Sequence, residues 1–221
     1  MRWELVIFDN DGVLVDSERV ANQVLARLLT DVWRPTSFEE CVRTYLGGTI
    51  ERVRAMVEAE SGRRLPDGFE DRYHRELFAG FDSGLVAVPG AAAVVEDLVG
   101  AGTRFCVASS GTRERIRRTL DQVGLWDRFA GRAFSAEEVP QGKPAPDLFL
   151  HAAAAMGADP ATTVVVEDSP LGIEAARAAG MAVIGFAAVT PPERLTGAAA
   201  VARSMEEVGA LLAAGLPLAA G

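Results

Sequence analysis

Two carboxylates, Asp9 and Asp11, stand two positions apart where an apolar run stops. The run Leu5-Val6-Ile7-Phe8 reads as a buried strand, and the Asp9-Asn10-Asp11-Gly12 that follows has the composition of a turn. Acids in that place lie at the carboxyl edge of an α/β sheet, where ligands bind. One carboxylate can be a nucleophile and metal ligand while its neighbour moves a proton. The pairing points to phosphoryl chemistry.

Three more polar sites follow apolar strands or their loops. Ser109 and Ser110 end Phe105-Cys106-Val107-Ala108, Lys143 lies in Gly142-Lys143-Pro144, and Glu167 and Asp168 follow Val164-Val165-Val166. Strands of a parallel sheet share one carboxyl edge, so these residues can converge despite their separation in sequence. Of the 22 basic residues only Lys143 is a lysine and the rest are arginines. A lysine in so arginine-rich a chain marks a slot that takes a compact ammonium and not a planar fork.

The elements that must position these residues fall into two textures. From Ser17 to Asp82, apolar residues recur at helical spacing: Val20, Val24, Leu28 and Leu29, then Ile50, Val53, Met56 and Val57, then Leu77, Phe78 and Phe81. Breaks at Arg34-Pro35, Gly47-Gly48 and Leu65-Pro66 divide this stretch into about four helices. From Pro89 onward helices and strands alternate. Strands are expected at 104–108, 132–134, 163–166 and 182–186, and helices at 91–99, 113–123, 147–156, 171–179 and 206–213. The expected architecture is α/β: a Rossmann-like, doubly wound parallel sheet core formed by residues 1–16 and 83–221. The all-helical segment 17–82 interrupts it after the first strand. Domains joined by two crossings can hinge, and clefts between domains hold small ligands.

Asp9-x-Asp11-Gly-Val-Leu-Val-Asp16-Ser-Glu18, followed in order by Ser109, Lys143 and Glu167-Asp168, resembles the four motifs of the haloacid dehalogenase superfamily. The likeness is greatest to its β-phosphoglucomutase-like phosphatase branch and covers essentially the whole chain, with 17–82 as a helical cap. The resemblance implies that Asp9 attacks the substrate phosphorus and forms an aspartyl-phosphate. Asp11 would protonate the departing alcohol and then take a proton from the hydrolytic water. It further implies Mg²⁺ as cofactor, with Asp9, Asp11 through its backbone carbonyl, and Asp168 as ligands, and with Glu167 in or next to that shell. Ser109, the Ser110 amide and Lys143 would grip the phosphoryl oxygens. The turn Gly47-Gly48-Thr49 would face the site and help select substrate, with Arg43 and Arg52 as weaker candidates for a distant anionic group.

The substrate so implied is a small phosphorylated metabolite: a sugar, polyol or sugar-acid phosphate. Relatives with other chemistry fit less well. A dehalogenase does not need Asp11, and a phosphonate hydrolase uses a cap lysine that this chain lacks. A β-phosphoglucomutase places a histidine and an arginine where this chain has Ala21 and Ile50, which favours hydrolysis over transfer within the substrate. A receiver-type signalling module shares acids, a hydroxyl and a lysine on a parallel sheet, but needs only about half this length. A non-catalytic binder is expected to have lost one motif, and all four are present.

Bulk composition agrees. The 221 residues carry a net charge of −9 with 49% hydrophobic residues, which suits a packed core and argues against nucleic acid or an anionic membrane as partner. Cys41 and Cys106 have no metal-binding spacing and suit a reducing cytoplasm. No basic leader precedes the first strand, and no apolar run is long enough to span a bilayer. Oligomeric state is left open, and a monomer is compatible with the sequence. Asp16 and Ser17 are expected to cap the first inserted helix, and Ser169-Pro170 to begin another while supporting Asp168. His74 and His151 are assigned ordinary packing or surface roles.

Overall fold

The computed structural model describes residues 3–45 and 50–216. They form two compact units. One comprises the chain up to Asp16 and from Val86 onward, and the other Ser17–Leu85.

The first unit is built on six strands: β1 (Leu5–Phe8), β2 (Arg104–Ser109), β3 (Ala133–Ser135), β4 (Thr163–Glu167), β5 (Ala182–Phe186) and β6 (Ala200–Ala202). They are all parallel and lie in the order β3-β2-β1-β4-β5-β6. Every residue of β1 and β4 is buried, as expected where helices cover both faces of a parallel sheet. The strand order reverses at β1, and in open α/β sheets that switch point is where the ligand crevice forms. Register fixes the consequence: Phe8 pairs with Val107 on one side and Val166 on the other, so the residues after β1, β2 and β4 emerge at one edge.

Helices in the second unit are α1 (Ser17–Val32), α2 (Phe38–Tyr45), α3 (Ile50–Ser61) and α4 (Phe69–Gly84). Those of the first are α5 (Ala91–Ala101), α6 (Arg113–Gln122), α7 (Trp126–Phe129), α8 (Asp147–Ala155), α9 (Pro170–Ala178) and α10 (Met205–Ala214). Leu5, Ile7, Cys106, Val165 and Val183 on one sheet face pack with Leu148, Phe149 and Ala152 of α8 and Ile173 and Ala176 of α9. Val6 points to the opposite face, toward Val94 and Leu98 of α5 and Leu212 of α10. On that side Phe129 meets Phe8 and Phe105 edge-on, with ring centroids at 6.4 and 5.4 Å.

Two short elements escape the sequence pattern. Strand β6 is only Ala-Val-Ala, too short and too small for a β-branched signal, and α7 is a single turn. In the second unit α1 packs on both α2 and α4. A Cβ on Gly80 would come within 2.7 Å of Val20 Cγ1, so the missing side chain lets α1 and α4 approach. Arg54 ties α3 to the following turn and helix through two bonds to Glu70 (2.9 and 2.7 Å), one to Glu58 (3.0 Å) and one to the Leu65 carbonyl (3.0 Å). Met56 and Phe78, read as packing positions, are partly exposed at the margins of their helices. No helix among the described residues is long and apolar enough to cross a membrane.

Candidate active site

Strand β1 delivers Asp9 to the sheet edge, where its amide donates to the Val166 carbonyl of β4 at 3.0 Å. The chain then turns sharply. Gly12 has φ 81°, a conformation that side chains resist, and its amide reaches the Val15 carbonyl at 2.8 Å. This loop holds Asn10 and Asp11 beside Asp9.

Lys143 reaches the same place from the loop before α8, and its peptide bond to Pro144 is cis. Its Nζ donates to Asp9 Oδ1 at 2.6 Å, to Glu167 Oε1 at 2.8 Å and to the Ala108 carbonyl at 3.2 Å. The ammonium also lies 4.8 Å from the ring centroid of Phe149. All three charged side chains are buried: Lys143 is 5% exposed, Asp9 9% and Glu167 1%. Burial disfavours the ammonium, but the Asp9 and Glu167 carboxylates outweigh it and hold its pKa above the ordinary lysine value. Burial pushes the Asp9 carboxyl up to about 7, with Glu167 and Asp11 adding to the rise and Lys143 opposing it.

Glu167, placed at the metal shell by resemblance, has both oxygens engaged inside the protein. Oε1 takes the lysine, while Oε2 accepts from the Ser169 amide at 2.7 Å and the Ser169 hydroxyl at 2.9 Å. Ser169 caps α9 by accepting from the Gly172 amide at 3.0 Å, with Pro170 in the first turn. Its side chain thus braces Glu167, whereas the sequence suggested support for Asp168. Asp168 is buried one residue past the end of β4.

Asp11 sits on the other flank. Its Oδ1 accepts from Arg115 Nη2 at 2.6 Å, and its Oδ2 from Asn10 Nδ2 at 3.3 Å and Ser109 Oγ at 3.4 Å. Ser109, the buried last residue of β2, also accepts from the Gly111 amide at 3.0 Å. Ser110 follows at the exposed rim of the loop. Ser135 at the end of β3 braces that loop by donating to the Gly111 carbonyl at 2.7 Å.

The structure therefore brings Asp9, Lys143 and Glu167 into direct contact, and Asp11 into contact with Ser109, with Asp168 at the same edge. Gly47, Gly48 and Thr49 lie outside the described residues. His151 meets Phe134 edge-on and contacts Glu138 at 3.2 Å, and His74 meets Tyr73 edge-on. Three residues at the site escaped sequence reading. Asn10 reads as part of the turn, Arg115 lies within the arginine-rich run 113–118, and Gly172 gives only a faint signal as a glycine in the first turn of a helix.

A buried carboxylate beside an ammonium and a second carboxylate beside a hydroxyl thus lie at the switch point of the α/β sheet, where such folds bind ligands. Residues 3–180 match the family model for haloacid dehalogenase-like hydrolases, and the chain belongs to that family. Among curated relatives, the 6-phosphogluconate phosphatase of Escherichia coli (strain K12) is 30% identical over 188 residues, covering 85% of this chain and 84% of its own. A conserved haloacid dehalogenase-like protein of unknown function from Agrobacterium tumefaciens str. C58 superposes with a TM-score of 0.90 at 38% identity, over 96% of this chain and 98% of that one. An HAD family hydrolase from Deinococcus radiodurans R1, crystallised with bound phosphate and sodium, superposes with a TM-score of 0.83 at 31% identity, over 96% of each chain.

Proposed function

We propose that this protein is a Mg²⁺-dependent cytoplasmic phosphatase that hydrolyses a small phosphorylated metabolite, a sugar, polyol or sugar-acid phosphate, through an aspartyl-phosphate at Asp9. The observation that carries this is the 2.6 Å contact between Asp9 Oδ1 and Lys143 Nζ, with Glu167 holding the lysine from behind. Support for the substrate class comes from the 6-phosphogluconate phosphatase relative. Ala21 and Ile50, where a phosphosugar mutase of this branch carries histidine and arginine, favour water as the final acceptor. The inserted helical unit, Ser17–Leu85, is proposed as the cap that selects substrate.

The donor set fits a hard divalent cation. Asp9, Glu167 and Asp168 are three buried carboxylates against one buried ammonium, an excess of negative charge that a phosphate would only increase. Among the described residues no three His, Cys, Asp or Glu side chains cluster for a metal. Magnesium does not require that, because it commonly takes one or two carboxylates and keeps waters. Asp9, Asp168 and the Asp11 carbonyl would hold it, and Glu167, committed to Lys143 and Ser169, would position the lysine. When bound, the ion supplies charge neutralisation to the phosphoryl group.

The protein's own groups account for the rest. An Asp9 oxygen forms a bond to phosphorus as the bond to the substrate oxygen breaks, and Asp11 gives that oxygen its proton. Water then attacks the aspartyl-phosphate, Asp11 takes the water's proton, and phosphate leaves with Asp9 restored. Lys143 balances charge on the phosphoryl oxygens, while the Ser109 hydroxyl and the Ser110 amide orient them. Incubation with p-nitrophenyl phosphate and Mg²⁺ tests this: turnover is expected in the unaltered protein and none above background in Asp9→Asn. Equal rates in the two proteins would contradict the assignment.

A further inference from the structure

The two residues after Asp9 meet two residues on one face of α6. Asp11 Oδ1 accepts from Arg115 at 2.6 Å, and the fully buried Asn10 donates from Nδ2 to Thr119 Oγ1 at 3.1 Å. Arg115 and Thr119 are four residues apart, hence neighbours on the helix surface. They are also linked to each other, since the Thr119 hydroxyl donates to the Arg115 carbonyl at 2.9 Å. Thr112 fixes the start of the helix by accepting from the Arg115 amide at 3.2 Å. Gly111 leaves room for the arginine stem: a Cβ there would lie 3.3 Å from Arg115 Cδ and 3.4 Å from Ser109 Oγ.

From this geometry, and resting on the phosphatase reading above, we infer that Arg115 is a positioning residue that sets the direction of the Asp11 carboxylate. The bond is charge-assisted and short, and it comes from a planar fork whose orientation is limited by its own stem. With Asn10 and Ser109 on the other oxygen, the carboxylate is held from its own loop, from β2 and from α6 at once. Its alignment with the leaving oxygen, and afterwards with the attacking water, is then set before substrate arrives. Arg115 touches neither substrate nor phosphorus in this role and acts only through Asp11.

A double-mutant cycle on p-nitrophenyl phosphate with Mg²⁺ tests this. Arg115→Met keeps the aliphatic stem and removes the fork. Its kcat is expected to fall about 10- to 100-fold, the scale of an ångström-sized misplacement, with KM little changed. Arg115→Lys should recover part of the loss. The double variant Asp11→Asn, Arg115→Met should be no slower than Asp11→Asn alone, since nothing is left to position. Arg117→Met, on the same helix with its guanidinium 5.8 Å from the Trp126 ring centroid, should match the unaltered protein. An unchanged kcat in Arg115→Met, independent losses that multiply in the double variant, or an equal loss in Arg117→Met would overturn the role. A rise in KM alone would make Arg115 a substrate contact and overturn it too. Absence of turnover in the unaltered protein would instead overturn the phosphatase reading, a result distinct from any of these.

Discussion

A Cβ atom on Gly172 would stand 1.7 Å from Oε1 of Glu167 and 1.9 Å from its Cδ. The carboxylate therefore occupies the space that a side chain at position 172, in the first turn of α9, would fill. From that position it braces Lys143 against Asp9. A glycine with no polar atom of its own side chain thus belongs to the site.

Gly172→Ala is the first test. The new methyl group must displace Glu167, and Lys143 would then lose one of its two carboxylate partners. A decrease in kcat of about 100-fold is expected, because small misplacements of reacting groups cost that much. Normal kcat with an unshifted Glu167 would show that the close packing is without consequence for the site.

Lys143→Met removes the buried ammonium that contacts both Asp9 and Glu167. Breaking a buried pair by deleting one partner costs about 3–5 kcal/mol, so a lower Tm is expected together with loss of activity. Lys143→Arg restores charge but not shape, and kcat should stay well below that of the unaltered protein. Recovery of kcat in the arginine variant would mean that charge alone suffices.

Magnesium should bind with or without substrate. The Tm of protein stripped with EDTA is expected to rise as Mg²⁺ is added, by mass action on the folded state, and the rise should shrink in Asp168→Asn. Activity should vanish in EDTA and return with Mg²⁺. A Tm insensitive to Mg²⁺, or hydrolysis persisting in EDTA, would remove the ion from the account.

Both cysteines are buried. Burial, reinforced by the charge of Glu40, pushes the Cys41 thiol up to about 12, and burial holds Cys106 far above its usual value. Because the thiolate is the reactive form, raised values leave almost none of it at pH 8. Ellman's reagent should therefore release little colour from the native protein at that pH and two equivalents after unfolding. Rapid reaction of the folded protein would show that one of these residues is accessible.

The fold was readable because its signals are local. The β-branched run at Thr163–Val166 and the apolar run at Leu5–Phe8 need only their own residues to specify buried strands, and the breaks at Arg34-Pro35 and Leu65-Pro66 fall between α1 and α2 and between α3 and α4. That Asp9, Asp11, Ser109, Glu167 and Asp168 meet at one edge was legible because strand ends of a parallel sheet share it, and Lys143 stood out as the one lysine of the chain. Asn10–Thr119 and Asp11–Arg115 were not, since contacts spanning 109 and 104 residues depend on which face of α6 meets the loop. Helix propensity alone does not reveal that face among the arginines of 113–118. The engagement of Glu167 by Ser169 likewise needed the turn into α9 to be seen.

Covalent chemistry at Asp9 is addressed most directly by acid-quenched mass spectrometry of the enzyme during turnover of a phosphorylated substrate. A transient gain of one phosphoryl group on the peptide containing Asp9, absent in Asp9→Asn, is the predicted result. Turnover with no phosphorylated intermediate, or with the phosphoryl group on another residue, would contradict it.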